Sequence, residues 1–215
     1  MDQLTDIVTQ SLPVMEHFYT LQGEGFHQGR AAYFVRLGGC DVGCVWCDVK
    51  ESWDANAHPK MTVEEIVNAV ISNSSPIGGG REGALVVITG GEPLMHNLTQ
   101  LTAALQAQGF ETNIETSGAH PLSGTWDWIC LSPKKFKAPL PAMVPFANEL
   151  KVVIFNQSDF EWAEKYAAMV SPQCKLYLQP EWDKASIVTP LIIEYIKQHP
   201  QWQLSLQIHK YINVP

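Results

Sequence analysis

The run Ala84-Leu85-Val86-Val87-Ile88-Thr89 restricts the fold of this chain more than any other stretch. Residues that are apolar or β-branched at nearly every position cannot alternate between a wet and a dry face. They specify a strand buried on both sides, which is the habit of parallel sheets. Parallel strands need crossover connections, and the rest of the chain supplies them. A second apolar strand is expected at Ala31 to Leu37, bounded by Gly38 and Gly39, with others near 110–115, 127–131, 149–155, 174–179 and 202–208. Helices are expected between most of them. Thr62 and Glu65 read as a capping box for a helix to about Ser72, with Val63, Ile66, Val67 and Val70 on its apolar face, and Leu98 to Gln108 reads as a helix ended by Gly109. Ser158 and Glu161 read as a second capping box, and a helix from about Ser186 to His199 is expected to turn Ile192, Ile193 and Ile196 inward. A polar lead to about Ser11, an extended run from Val14 to Tyr19 and the loop Leu21 to Gly25 come first, and a loop rich in Ser and Gly precedes Ala84. About six strand-helix units with short right-handed crossovers predict an α/β fold, a parallel sheet curved into an open, partial β/α barrel.

The 215 residues, 46% of them hydrophobic, suit one domain spanning 1–215 with a single buried core. A net charge of -8 offers no basic footprint for nucleic acid, although Lys134, Lys135 and Lys137 form a small local cluster, so a small-molecule substrate is expected. Asp2 and Asp6 stand where a leader would be basic, and no apolar run approaches a membrane span, so a cytoplasmic protein without membrane contact is expected.

The unusual polar residues fall after strands: Thr89-Gly90-Gly91-Glu92-Pro93, Glu115-Thr116-Ser117-Gly118, Ser132-Pro133-Lys134 and Gln179-Pro180. In barrels of parallel strands the active site forms at that shared rim. After the strand at 31–37 comes Cys40-Asp41-Val42-Gly43-Cys44-Val45-Trp46-Cys47. Three thiols this close can wrap one metal centre, and on a four-iron cubane they would leave one iron open to a ligand that is not protein. A zinc knot completed by His58 or by a distant side chain is the competing reading, although zinc sites favour paired C-x2-C units and only one is present. Cys130 and Cys174 sit in apolar runs, where a small buried hydrophobe is expected.

The glycines at 90 and 91 let backbone approach a ligand or simply turn the chain. Glu115 and Ser117 suit ribose hydroxyls or a turn, and Lys134 and Lys151 read more readily as solvated lysines, with Lys134 favoured as a ligand because it follows a strand directly. Arg36 presents a planar fork suited to a carboxylate, with a rim salt bridge as the alternative, and Gln22 and Thr89 supply neutral donors and acceptors.

The C-x3-C-x2-C spacing, with Trp46 before the last cysteine, resembles the cluster motif of radical S-adenosylmethionine (SAM) enzymes. Leu21-Gln22-Gly23-Glu24-Gly25, Phe34-Val35-Arg36-Leu37, the cysteine run with Asp48, Ile88 to Pro93, Ile114 to Gly118 and His209-Lys210-Tyr211 resemble the 7-carboxy-7-deazaguanine synthase family over nearly the whole chain. The resemblance implies a partial barrel of the radical SAM type holding a 4Fe-4S cluster at Cys40, Cys44 and Cys47. It implies SAM at Gly91, Glu92, Glu115, Ser117, Ser132, Pro133, Lys134, Gln179 and Pro180. It places a pterin substrate against Leu21, Gln22, Gly23, Arg36, Thr89 and Pro215, the last through a terminal carboxylate. By the same resemblance, an electron from the cluster cleaves SAM. The resulting radical takes hydrogen from 6-carboxy-5,6,7,8-tetrahydropterin, which contracts to 7-carboxy-7-deazaguanine with loss of ammonia, a step towards queuosine and related deazapurines. A homodimer and an electron donor such as flavodoxin or ferredoxin are implied with it. Family members commonly carry Thr or Ser, a magnesium ligand, two residues after the last cysteine. Val49 stands there, which predicts a weakened or absent Mg2+ requirement. An activating enzyme of the same superfamily, acting on a partner's glycine, fits the short loops and the residues at Gln22 and Arg36 less well.

Overall fold

The strand expected at 84–89 forms at Leu85–Gly90, and Leu85, Val86, Val87 and Ile88 are all buried. In the computed structural model, residues 10–74 and 83–215 are described. Residues 1–9 of the polar lead and most of the Ser- and Gly-rich loop lie outside them. The strands in chain order are β1 Ser11–Leu21, β2 Ala31–Leu37, β3 Lys60–Thr62, β4 Leu85–Gly90, β5 Glu111–Thr116, β6 Trp128–Leu131, β7 Glu149–Ile154, β8 Lys175–Pro180 and β9 Trp202–Leu204. They form one sheet in the order β3-β1-β2-β4-β5-β6-β7-β8-β9. From β2 through β4 to β9 every pairing is parallel. The two ends of the sheet, β3 and β9, do not meet, so the barrel is open.

Helix α1 (Val63–Asn73) begins on the expected box: Glu65 N donates to Thr62 Oγ1 at 3.2 Å, and Thr62 N donates back to Glu65 Oε2 at 2.7 Å. Its buried stripe is Val63, Ile66, Val67 and Val70, packed with Leu101 and Leu105 of α2 (Thr99–Ala107) over the outer face of β1, β2 and β4. A second core joins β7, β8 and β9 to α3 (Ser158–Ala167) and α4 (Ala185–Gln198), centred on Leu150, Val152, Phe160 and Trp202. Both cores lie outside the curved sheet, so alternate residues of each strand are free to face its hollow.

Four expectations are corrected. The extended run at 14–19 is a full strand, β1, paired antiparallel to β2 with a register shift between Val14 and Glu16 that hides its alternation. The box at Ser158 and Glu161 does not form. Asn156 Oδ1 accepts the Ser158 amide instead, and Asp159 Oδ2 accepts from the amides of Phe155 and Asn156, which holds the turn without Glu161. Ile193 is exposed, because the buried stripe of α4 runs through Val188 and Ile192. The last strand stops at Leu204, and the chain turns into α5 (Ile208–Ile212) across the mouth of the hollow.

Candidate active site

The C-terminal ends of the parallel strands surround one cavity of about 270 Å³, the scale of a small-molecule site. Phe34 and Arg36 reach it from β2, beside Val87 and Thr89 of β4 in register, while Tyr33, Val35 and Leu37 turn outward into the core.

The cysteine loop forms one wall, held by backbone from several sides. Gly39 N donates to Ser52 O at 2.6 Å, Cys40 N to Trp53 O at 3.1 Å and Glu92 N to Gly39 O at 2.8 Å. His96 Nε2 meets Gly38 O at 2.7 Å, and Asp41 is clamped by His120 (2.9 Å) and Lys137 (2.6 Å). The strand end at Gly90 and Gly91 presses directly on this loop. A Cβ on Gly91 would lie 2.3 Å from Gly39 O, and one on Gly90 2.2 Å from Leu37 O, so neither position tolerates a side chain.

Cys40, Cys44 and Cys47 all face the cavity. Burial pushes the Cys40 thiol up and the Cys44 thiol up to about 11, so both stay protonated until a metal's charge displaces the proton. One zinc ion would draw three sulfurs to within about 4 Å of one another. Among the described residues no three His, Cys, Asp or Glu side chains converge in that way, and His58 is bonded to Glu51 O. Three soft donors open to a cavity fit a cluster that takes one thiolate per iron and leaves an iron for a small molecule. Cys130 and Cys174 are buried and free, as expected of small hydrophobes.

The opposite wall is built of buried charge. Lys151, on β7, is 3% exposed at its side chain, and its Nζ lies 2.5 Å from Glu24 Oε2 and 2.8 Å from Glu115 Oε2. Gln22 Nε2 donates to Glu115 Oε1 at 2.9 Å, Glu24 N donates to Gln22 Oε1 at 3.1 Å, and Gln207 Nε2 donates to Glu24 Oε1 at 2.8 Å. Burial raises the Glu24 carboxyl, but the Lys151 ammonium and the hydrogen bonds outweigh it and hold the group down to about 2. Lys134, between the walls, donates to Ser132 Oγ at 2.5 Å and lies 5.3 Å over the Trp46 ring.

Leu21, Gln22, Gly23, Arg36, Thr89, Gly91, Glu115, Ser117, Ser132, Lys134, Gln179, Pro180 and Pro215 all line this cavity with the three cysteines. Arg36 donates Nε to Glu16 at 2.6 Å, and among the described residues its terminal nitrogens have no protein partner. Glu92 and Pro133 are placed elsewhere. Glu92 is a buried strut: its carboxylate accepts from Leu94 N, Thr116 Oγ1, Ser117 N and Ser117 Oγ, which ties the β4 end to the β5 end. Pro133 faces a neighbouring groove with Phe136 and Trp162. Lys151 is the opposite of a solvated lysine, and sequence reasoning gave Glu24, Gln207 and His209 no role of their own. The available signal was Glu149 and Lys151, two charges at i and i+2 in an apolar strand, which must share one face.

A model of the Radical SAM superfamily matches residues 34–131, which run from β2 through β6 and include the cysteine loop and the rim at Glu115 and Ser117. The cavity therefore sits on a radical SAM scaffold. Across the whole length the chain is 50% identical to the 7-carboxy-7-deazaguanine synthase of Flavobacterium psychrophilum over 206 residues, 96% of this chain and 94% of that one. It is 49% identical over 214 residues to that of Synechocystis sp. (100% and 99%) and 36% identical over 222 residues to that of Escherichia coli (94% and 98%). The crystal structure of QueE from Escherichia coli superposes with a TM-score of 0.77 at 32% identity, covering 91% of this chain and 93% of that one. The chain belongs to the 7-carboxy-7-deazaguanine synthase family.

Proposed function

We infer that this protein is a radical SAM lyase that converts 6-carboxy-5,6,7,8-tetrahydropterin to 7-carboxy-7-deazaguanine with release of ammonia. The observation that carries the reading is that family membership over the full length coincides with one cavity uniting the three thiols, Arg36, Thr89 and the Gln22–Glu24 loop. Cys40, Cys44 and Cys47 would hold a 4Fe-4S cluster, which together with SAM would supply the radical. The chain itself binds and orients. Gly91 offers backbone to the methionine part of SAM, Glu115 and Ser117 meet its ribose, and Ser132, Lys134, Gln179 and Pro180 complete that side. The Arg36 fork takes the pterin carboxylate, for which its free terminal nitrogens suit it. Gln22, Thr89, Pro215 and the edges of Leu21 and Gly23 fix the ring, so that the carbon bearing the carboxylate faces the radical and competing hydrogen donors are kept out.

The groups beside the cysteine loop support at most a weak Mg2+ site. Val49 has no oxygen in its side chain, Ser52 spends its hydroxyl on Val49 O at 2.7 Å, and Asp48 is paired to Lys210 at 2.8 Å. We propose turnover with little dependence on magnesium. A cytoplasmic homodimer of single-domain chains, reduced by a flavodoxin or ferredoxin and feeding queuosine or a related deazapurine, completes the reading. Its support is the family, the free thiols and, among the described residues, the absence of any helix long and apolar enough to cross a membrane. The test is anaerobic incubation of reduced, iron-reconstituted protein with SAM and the pterin. Appearance of the deazapurine chromophore with SAM-dependent kinetics is expected, and a brown, SAM-cleaving protein that leaves the pterin intact would overturn the substrate assignment.

A further inference from the structure

Burying an ammonium between two carboxylates is a poor way to stabilise a barrel. Each ion gives up its hydration on burial, and well-packed apolar residues often serve as well or better. The rest of β7 shows that such packing is available, since Leu150 and Val152 on its other face are fully buried in the outer core. Lys151 instead turns into the hollow, where Glu149 and Cys130 lie behind it and Lys134 and His209 flank the two glutamates. Its two partners come from separate elements of that wall. Glu24 belongs to the β1–β2 loop with Gln22, and Glu115 lies near the end of β5, two residues before Ser117. Gln22 closes the ring by bonding both the Glu24 amide and the Glu115 carboxylate.

We propose that Lys151 is a positioning residue that ties the pterin side of the cavity, Gln22 and Glu24, to the cofactor side, Glu115, so that occupation of either side organises the other. This rests on the assignment of those sides made above. The ring contains two carboxylates and one ammonium, so it keeps one net negative charge, which suits the N–H donors of an aminopyrimidine edge at Glu24 and the hydroxyls of a ribose at Glu115. A ligand that fixes Glu115 fixes Lys151 and Gln22 with it, and through them Glu24. The second ligand then meets an ordered loop and loses less freedom on binding. Without the ammonium the two carboxylates face each other, and one of them takes a proton and becomes a donor where an acceptor is needed.

Anaerobic calorimetry on the cluster-reconstituted enzyme tests this, with pterin titrated in the presence and absence of SAM, and SAM in the presence and absence of pterin. In the unmodified enzyme each ligand is expected to tighten the other by the same factor, about fivefold or more. In Lys151→Met that factor falls to near one, and pterin affinity drops about tenfold, more than SAM affinity does. Lys151→Gln keeps a polar donor in the same space, serves if the Met variant folds poorly, and is expected to lose the coupling as well. Loss of affinity for both ligands with the coupling factor intact is what a merely structural residue would give, and it overturns the proposal. So does the absence of coupling in the unmodified enzyme, a measurement that needs no variant. Failure of the unmodified enzyme to bind the pterin at all overturns the functional reading, and this inference with it.

Discussion

The two walls of the cavity hold their polar groups in opposite ways. On the cysteine wall the backbone is fixed from outside by Ser52, Trp53, Glu92 and His96, while the three thiols line the cavity. On the lysine wall the partners are the polar groups themselves, with Lys151, Glu24, Glu115, Gln22 and Gln207 bonded to one another. The first wall is bonded through its main chain and offers its side chains to a soft metal centre. The second bonds its polar side chains to one another, so a shift of one is passed to the rest. A radical enzyme needs both, because the reactive group must be brought in and the substrate must be held still beside it.

The comparison breaks most completely at the cysteines. Replacing Cys40, Cys44 or Cys47 by Ala leaves a second iron without a protein ligand. Loss of the cluster's visible absorption and of all SAM cleavage is expected, with the fold retained by circular dichroism. Full iron content in any one variant would show that the wall does not work by these three thiols. The next effect is at the seam. Glu92 joins the ends of β4 and β5 through three hydrogen bonds and caps Leu94 with a fourth, so Glu92→Ala strands the buried donors of Thr116 and Ser117. A loss of about 3 kcal/mol is expected, read as a fall in Tm of about 10 °C in the cluster-free protein. A fall of only a degree or two would mean that water replaces the carboxylate and the strand ends are not braced through it.

The same contrast explains what could be read from the sequence. The cysteine wall was legible because its ligands lie within one loop, and Arg36 and Thr89 because a planar fork and a hydroxyl stand at the ends of apolar strands, where the structure's register turns both to the cavity. Lys151 was less legible, since its partners are 127 and 36 residues away and the local signal was only the pairing of Glu149 and Lys151 on one face of an apolar strand. Glu92 reads as a rim residue from its position, yet its carboxylate turns back into the protein. Likewise the helix start at Ser158 carries the right residue types for a box, but Asn156 and Asp159 reach the free amides first.

A smaller effect is expected at the chain's last described residue. Pro215 lines the cavity because α5 folds back over it, with Ile208 N donating to Gly23 O at 3.0 Å and a Cβ on Gly23 excluded by His209 Nδ1 at 2.1 Å. Pro215 belongs to the proposed pterin side of the cavity and not to the proposed SAM side. On its removal pterin affinity should therefore fall about tenfold, roughly 1.4 kcal/mol, while SAM affinity is unchanged. Equal affinities for pterin in the shortened and intact proteins would remove Pro215 from the substrate site.

The smallest effect separates the walls by their need for a second metal. Magnesium requires oxygen ligands in near-octahedral array and keeps several waters when the protein offers few. At the end of the cysteine wall, Val49 offers only its carbonyl, and that is occupied by the Ser52 hydroxyl and amide at 2.7 and 3.1 Å. Asp54 is spent on capping Asn56 and Glu51 does not line the cavity, which leaves the Asp48 carboxylate, paired at 2.8 Å to Lys210 of α5. That ion pair is exposed on its acidic side and weak enough to yield to a divalent cation, but its ammonium already neutralises the charge that would attract one. Initial rates after chelation should therefore change by less than about twofold on adding Mg2+, and Val49→Thr should raise that stimulation several-fold by restoring one oxygen ligand. A steep, saturable stimulation of the unmodified enzyme would show instead that Asp48 leaves Lys210 to serve as the ligand. In that event Asp48→Asn would abolish the stimulation and Lys210→Met would enhance it, since removing the ammonium frees the carboxylate for the cation.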